Sequence, residues 1–200
     1  VYRLGDLSHV YPLMRGIAPM LVALIGAMFF GESLGLPVWA GIGLISAGIL
    51  LPVLRYPGVL RERATPFSLG IAAVIAAYTL VDGYGTRASG NSFSYCMWMF
   101  LLEAPPIVFV AWWHQRGLVW RHVRLKWRRA TIGGFCVLGS YSIALWAMVS
   151  APIAAVAALR ETSVLFGTAM SVWILKERFG WQRGFGAVVI VAGVVLLRLS

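Results

Sequence analysis

Seven apolar stretches dominate the chain, at 10–30, 37–54, 67–86, 94–113, 130–149, 152–175 and 182–199. A helix needs about 20 apolar residues to span the hydrocarbon core of a bilayer. The second and seventh stretches are short but nearly uncharged. The pattern predicts an all-α, polytopic membrane protein of about seven transmembrane helices. The connections are brief except for two basic ones, at 55–66 and 114–129. The second carries Arg116, Arg121, Arg124, Lys126, Arg128 and Arg129, with Trp120 and Trp127 among them. It reads as a juxtamembrane segment at the headgroup layer, where Trp and Lys or Arg are both stable.

Two charges break the apolar pattern in a regular way. Arg15 and Arg160 open the strings RGIAPMLVALIGAMFFGESLG and RETSVLFGTAMSVWILKERFG, which are 145 residues apart. The same offset places Glu32 on Glu177, Gly35 on Gly180, Gly41 on Gly186, Ile45 on Ile190, Ala47 on Ala192, Gly48 on Gly193 and Leu51 on Leu196. Segments one and two therefore repeat as segments six and seven, five crossings later. Five is odd, so the copies run through the membrane in opposite directions, as in inverted-topology transporters. The second copy has three helices ahead of its Arg160 segment and the first has none. This predicts about three further helices upstream, in a ten-helix whole. The domains expected are 1–54, the last two helices of a first repeat, and 67–200, a complete second repeat of five.

Composition agrees. The chain is 60% hydrophobic and 12% charged, with a mean hydropathy of +0.82. Soluble domains are nearer half apolar and a quarter charged. The net charge of +10 lies mostly between apolar segments, as topology signals do, so a nucleic-acid partner is not expected. Cys96 and Cys136 both lie in apolar segments without metal-ligand spacing and read as small buried hydrophobes. No metal or other cofactor is expected.

The strings FFGESLGLPVWAGIGLISAGILL (29–51) and ILKERFGWQRGFGAVVIVAGVVLL (174–197) resemble the EamA-type drug/metabolite transporter superfamily. So do SHVYPLMRGIAPMLVAL (8–24) and SAPIAAVAALRETSVLFGTAMS (150–171), in the manner of a permease-like subgroup. The resemblance implies ten helices in two inverted five-helix repeats and transport or export of a small metabolite. It does not imply a particular substrate.

The intramembrane polar residues are the candidate machinery. A central Arg costs roughly 2.5–3.5 kcal/mol on insertion scales, so it needs a partner, a wet cavity or a substrate. Arg15 and Arg160 either face a cavity and hold an anionic group or make interhelical ion pairs. Glu161 points about 100° away from Arg160 on an ideal helix, so each is expected to have its own partner. Thr162 and Ser163 add hydroxyls able to bond across helices. Glu103 precedes Pro105 and Pro106, which are expected to kink its helix. Glu103 and Glu161 are candidates for proton coupling, with pairing to an Arg as the alternative. Asp82 closes its segment and has either a solvated or a pathway role. Tyr141 and Trp146 are cavity candidates among aromatic residues that otherwise serve packing. Glu32 and Glu177 read as structural. Gly41, Gly48, Gly186 and Gly193 repeat at seven residues and suit close packing between the repeats, with a homodimer face as the alternative.

Orientation is contested. Counting Lys and Arg places 55–66, 114–129 and 176–183 in the cytoplasm, whereas the family's usual topology places those loops outside. The reading is a multi-pass inner-membrane permease working by alternating access, driven by an ion or substrate gradient, since no nucleotide-binding motif is present. The rival is a non-transporting membrane subunit that packs with a partner protein. An enzyme is not expected: His9, His114 and His122 are isolated and no nucleophile elbow or HExxH is present.

Overall fold

The structure, a computed structural model, describes residues 7–54, 64–115, 118–175 and 181–199. Glu177, Gly180 and most of the basic connection 55–66 lie outside the described residues. Among the described residues there are eight helices and no strand: α1 Leu7–Phe30, α2 Leu36–Leu54, α3 Thr65–Ser89, α4 Ser92–Gln115, α5 Leu118–Ser150, α6 Ile153–Arg160, α7 Ser163–Leu175 and α8 Trp181–Leu199. Six spans are long and apolar enough to cross a membrane, with α6 and α7 together supplying the sixth. Gly184–Leu199 is a shorter apolar seventh. The chain is a polytopic helical membrane protein.

Two local expectations change. The stretch 152–175 is not one helix but two, broken at Glu161 and Thr162. The basic stretch 114–129 is not a connection throughout: the chain is helical from Leu118, with one non-helical residue, Lys126, at φ −121° and ψ 17°. No Gly or Pro intervenes between Gly117 and Gly133, so nothing in the backbone chemistry stops a helix there. The Arg128 guanidinium lies 5.5 Å over the Trp127 ring. Helix α4 runs through Pro105 and Pro106 to Gln115, covering the expected stretch 94–113. Membrane helices tolerate such prolines because freed carbonyls find other partners.

The chain divides into two compact units. The first comprises Val1–Val81 and Ala151–Ser200, the second Asp82–Ser150. Within the first unit α8 closes back onto α2.

Glycine builds the first unit. A Cβ on Gly186 would lie 2.6 Å from the Gly48 carbonyl oxygen, and one on Gly193 would lie 2.8 Å from that of Gly41. The pairing order falls along α8 as it rises along α2, so the two helices cross antiparallel. Gly41 meets Gly193 while Gly48 meets Gly186, although the sequence offset equates Gly41 with Gly186 and Gly48 with Gly193. Each glycine thus meets the counterpart of the other. Lipid offers no hydrophobic drive between apolar helices, so backbone approach through small residues is what associates them. These glycines pack against one another within one chain. On the other side of α2, a Cβ on Gly16 of α1 would lie 2.7 Å from Leu50 Cγ.

The second unit is held differently. Here α4 packs on α5, and the last turns of α3 join them. Residues 101–110 of α4 and 124–137 of α5 are exposed on nearly every side. Gly133, Gly134 and Gly139 have no atom within 4 Å of the place a Cβ would take.

Candidate functional site

The break between α6 and α7 sets the site. Helix α6 is only 8 residues long, IAAVAALR, and buries Ile153, Ala154, Val156, Ala157 and Ala158. Its small side chains let it lie close to α1. Its start is fixed from elsewhere in the unit: Gly31 ends α1 at φ 65°, and the next residue, Glu32, accepts the Ile153 N–H through Oε1 at 3.1 Å. A carboxylate at a helix N-terminus satisfies an orphan donor and complements the dipole. Glu32 thus caps the start of α6.

After Ala158 the backbone tightens. The amides of Glu161, Thr162, Val164 and Leu165 bond three residues back, to the carbonyls of Ala158, Leu159, Glu161 and Thr162, at 2.9–3.1 Å. Such 3₁₀ turns inside helical runs often mark functional hinges. The Thr162 hydroxyl donates to the Leu159 carbonyl at 2.7 Å. It thus bonds within its own segment, not across helices as expected.

The tightened turn presents Glu161 to α1. Its carboxylate accepts a hydrogen bond from Arg15 Nη1 at 3.0 Å, and the side chains are 6% and 28% exposed respectively. Arg15 Nε donates to the Tyr11 hydroxyl at 3.2 Å, and its guanidinium lies 5.5 Å from the Tyr11 ring centroid. Glu161 Oε2 is buried without a hydrogen-bond partner among the described residues. Around these groups lies a cleft lined by Arg15, Pro19, Tyr78, Thr79, Arg160 and Glu161, with room of about 10 Å³, roughly one water. Pro19 has no N–H to give the Arg15 carbonyl four residues back. Both arginine-bearing segments thus have an interrupted helical ladder beside the charge, by proline in one and by tightening in the other.

The expected residues distribute as follows. Arg15, Arg160 and Glu161 come together in this cleft. Arg15, one repeat away, is the partner of Glu161, so Glu161 does not pair with its neighbour Arg160. Thr162 flanks the break. Tyr141 instead bonds Asp82, in the second unit. Trp146 is exposed and lines a groove of about 330 Å³ with Phe93 and Ser142. Glu103 is exposed on α4 and joins neither group. Tyr11 and Thr79 were missed. Tyr11 precedes Arg15 by one helical turn, a spacing that places side chains together, and that signal was available. Thr79 carried none.

The described lining of the cleft includes two guanidiniums and one carboxylate. The arrangement can hold an anion's oxygen, exchange a salt-bridge partner, or pass through a tightened turn that can lengthen.

A family model described as the EamA-like transporter family matches residues 64–199, more than half of the chain. A Sinorhizobium protein described as an uncharacterized transporter in the cobO 3' region is 43% identical over 49 residues, which cover 24% of this chain and 34% of that relative. The match thus spans about a third of that relative's length. No solved structure matches.

Proposed function

The chain belongs to the EamA-like transporter family, and on that premise we propose that it moves a small anionic metabolite across a membrane by alternating access. The observation that supports this most is the Arg15–Glu161 pair at the broken α6–α7 segment. Glu161 holds Arg15 while the site is empty, and an incoming carboxylate or similar anion competes for the guanidinium. Breaking a pair is costly when it strands a buried charge, about 3–5 kcal/mol, so the anion must take over as the pair opens. That requirement links substrate binding to movement at the break.

The offset of 145 residues and the reciprocal Gly41–Gly193 and Gly48–Gly186 contacts support an inverted repeat, whose halves would rock about the α2–α8 seam. The drive would be an ion gradient or the substrate's own. The inner membrane is the proposed location, with a ten-helix whole.

The test is counterflow of a radiolabelled organic-anion panel into proteoliposomes. Arg160→Ala is expected to abolish flux while the yield of folded protein stays near normal. An Arg160→Ala protein that still transports, or that fails only by misfolding, would give the site to structure alone. All-round exposure of residues 101–110 favours a second reading, in which the chain is a membrane subunit requiring further helices. Protein that purifies stably only with a second polypeptide, and carries no solute, would establish it.

A further inference from the structure

Outside the cleft, the second unit holds two carboxylates in membrane-crossing spans, Asp82 and Glu103, and two other helices converge on Asp82. Asp82 Oδ1 accepts the Tyr95 hydroxyl of α4 at 3.1 Å, and Oδ2 accepts the Tyr141 hydroxyl of α5 through a short bond. The local sequence makes room for this. A Cβ on Gly85, one turn beyond Asp82, would lie 2.6 Å from the Tyr95 hydroxyl, so only glycine admits the phenol there. Phe100 meets the Tyr141 ring edge-on at 5.9 Å and 83°, which holds that ring's orientation. Next to the two tyrosines, Cys96 Sγ and Ser142 Oγ lie 3.2 Å apart, between α4 and α5.

The groups facing the carboxylate from α4 and α5 are Tyr95 and Tyr141. On α3 itself Tyr84 and Arg87 are near in sequence. Arg87 lies 5.5 Å over the Tyr84 ring and donates through Nε to the Met148 carbonyl of α5 at 2.8 Å.

An ionised carboxylate is acceptor-only and accepts a hydrogen bond from both phenols; a protonated one is a donor at one oxygen. A proton arriving at Oδ2 therefore ends the bond from Tyr141 or reverses it. Hydrogen bonds to charged groups are roughly twice as strong as neutral ones, so the tie between α3 and α5 weakens on protonation. Intramembrane acids at such junctions mark proton relays.

We propose that Asp82, clasped by Tyr95 and Tyr141, is a proton-binding site, and that its charge state sets how tightly α5 is tied to α3. The proton comes from water and returns to it during the cycle, which makes this the coupling site of the transporter proposed above and rests on that reading.

The test uses the full chain with Cys136→Ser in liposomes, without any transported solute. In pH-difference infrared spectra, Asp82→Asn is expected to lose one carboxylic-acid band, and Tyr141→Phe to shift it. At fixed pH, N-ethylmaleimide labelling of Cys96 should rise about fivefold in Asp82→Asn and in Tyr141→Phe, the effect of one lost hydrogen bond on local opening. Asp82→Glu should restore the band. If Asp82→Asn does not fold, Tyr141→Phe decides alone. A spectrum unchanged in Asp82→Asn, or labelling unchanged in Tyr141→Phe, overturns the proposal. A chain that shows both effects yet carries no solute keeps the proton site and sinks the transport reading instead.

Discussion

The two compact units use opposite means of holding membrane helices together. The first brings backbone against backbone. Its α2–α8 seam is glycine on glycine, and its ion pair, Arg15 with Glu161, lies in one cleft. The second uses side-chain hydrogen bonds between helices: two phenols on Asp82, Arg87 on a carbonyl, Cys96 on Ser142. Beyond those ties α4 and α5 are exposed along much of their length. Close packing in lipid is rigid because the glycines leave no slack. Hydrogen-bonded ties can be made and broken by a proton. The comparison assigns the frame to the first unit's seam and the adjustable tie to the second unit.

The largest effect should come from stranding a charge. Arg15→Gln leaves Glu161, 6% exposed, without its hydrogen-bonded cation, and is expected to lower stability by about 3–5 kcal/mol in thermal unfolding of the detergent-solubilised protein. Glu161→Gln should cost less, because Arg15 at 28% exposure reaches solvent more readily and keeps Tyr11. The double variant should recover most of the loss. Equal costs for the two single variants would break the burial argument.

Next in size is the seam. Gly186→Ala forces a Cβ to 2.6 Å from a backbone oxygen that cannot move aside, and should cost about 1–3 kcal/mol. Gly134→Ala on α5 meets nothing within 4 Å and should be neutral or stabilising by up to about 1 kcal/mol, through helix propensity. Indistinguishable melting temperatures for these two variants would remove the contrast between the units.

Smaller again, Tyr141→Phe should cost about 1 kcal/mol and speed hydrogen exchange in α5 while α2 and α8 stay protected. Exchange rising equally in α2 would show that the second unit's tie is not local. The smallest effect expected is Glu32→Gln, which keeps an acceptor for the Ile153 amide but removes the charge at the start of α6. Its cost should be about 0.3–1 kcal/mol, read from thermal unfolding.

The sequence made part of this legible. Hydropathy located the crossings, since a bilayer demands apolar length whatever the packing. The seven-residue glycine spacing located the seam, because two turns of helix return to one face. The break at Glu161 was not legible, since it depends on backbone bonds three residues back that no residue type compels. Nor was the partner of Glu161. An ion pair between helices was one of two readings for each arginine, but pairing Arg15 with an acid 146 residues away is settled by packing. Hydropathy also misread 118–129. It ranks cations as loop, although Arg, Lys, Leu and Trp form a helix readily at a membrane surface. Glu103 stood out in sequence as a mid-segment acid beside two prolines, yet neither unit's polar cluster includes it.

The claim at the centre is that the Arg15–Glu161 pair works as part of the transport path and not only as a strut. Exchanging the charges, Arg15→Glu with Glu161→Arg, keeps an ion pair and the net charge while moving the cation across the cleft. Anion counterflow in proteoliposomes should then be lost although the protein elutes as a single folded species and melts near the wild-type temperature. Wild-type flux from the exchanged protein would contradict the account.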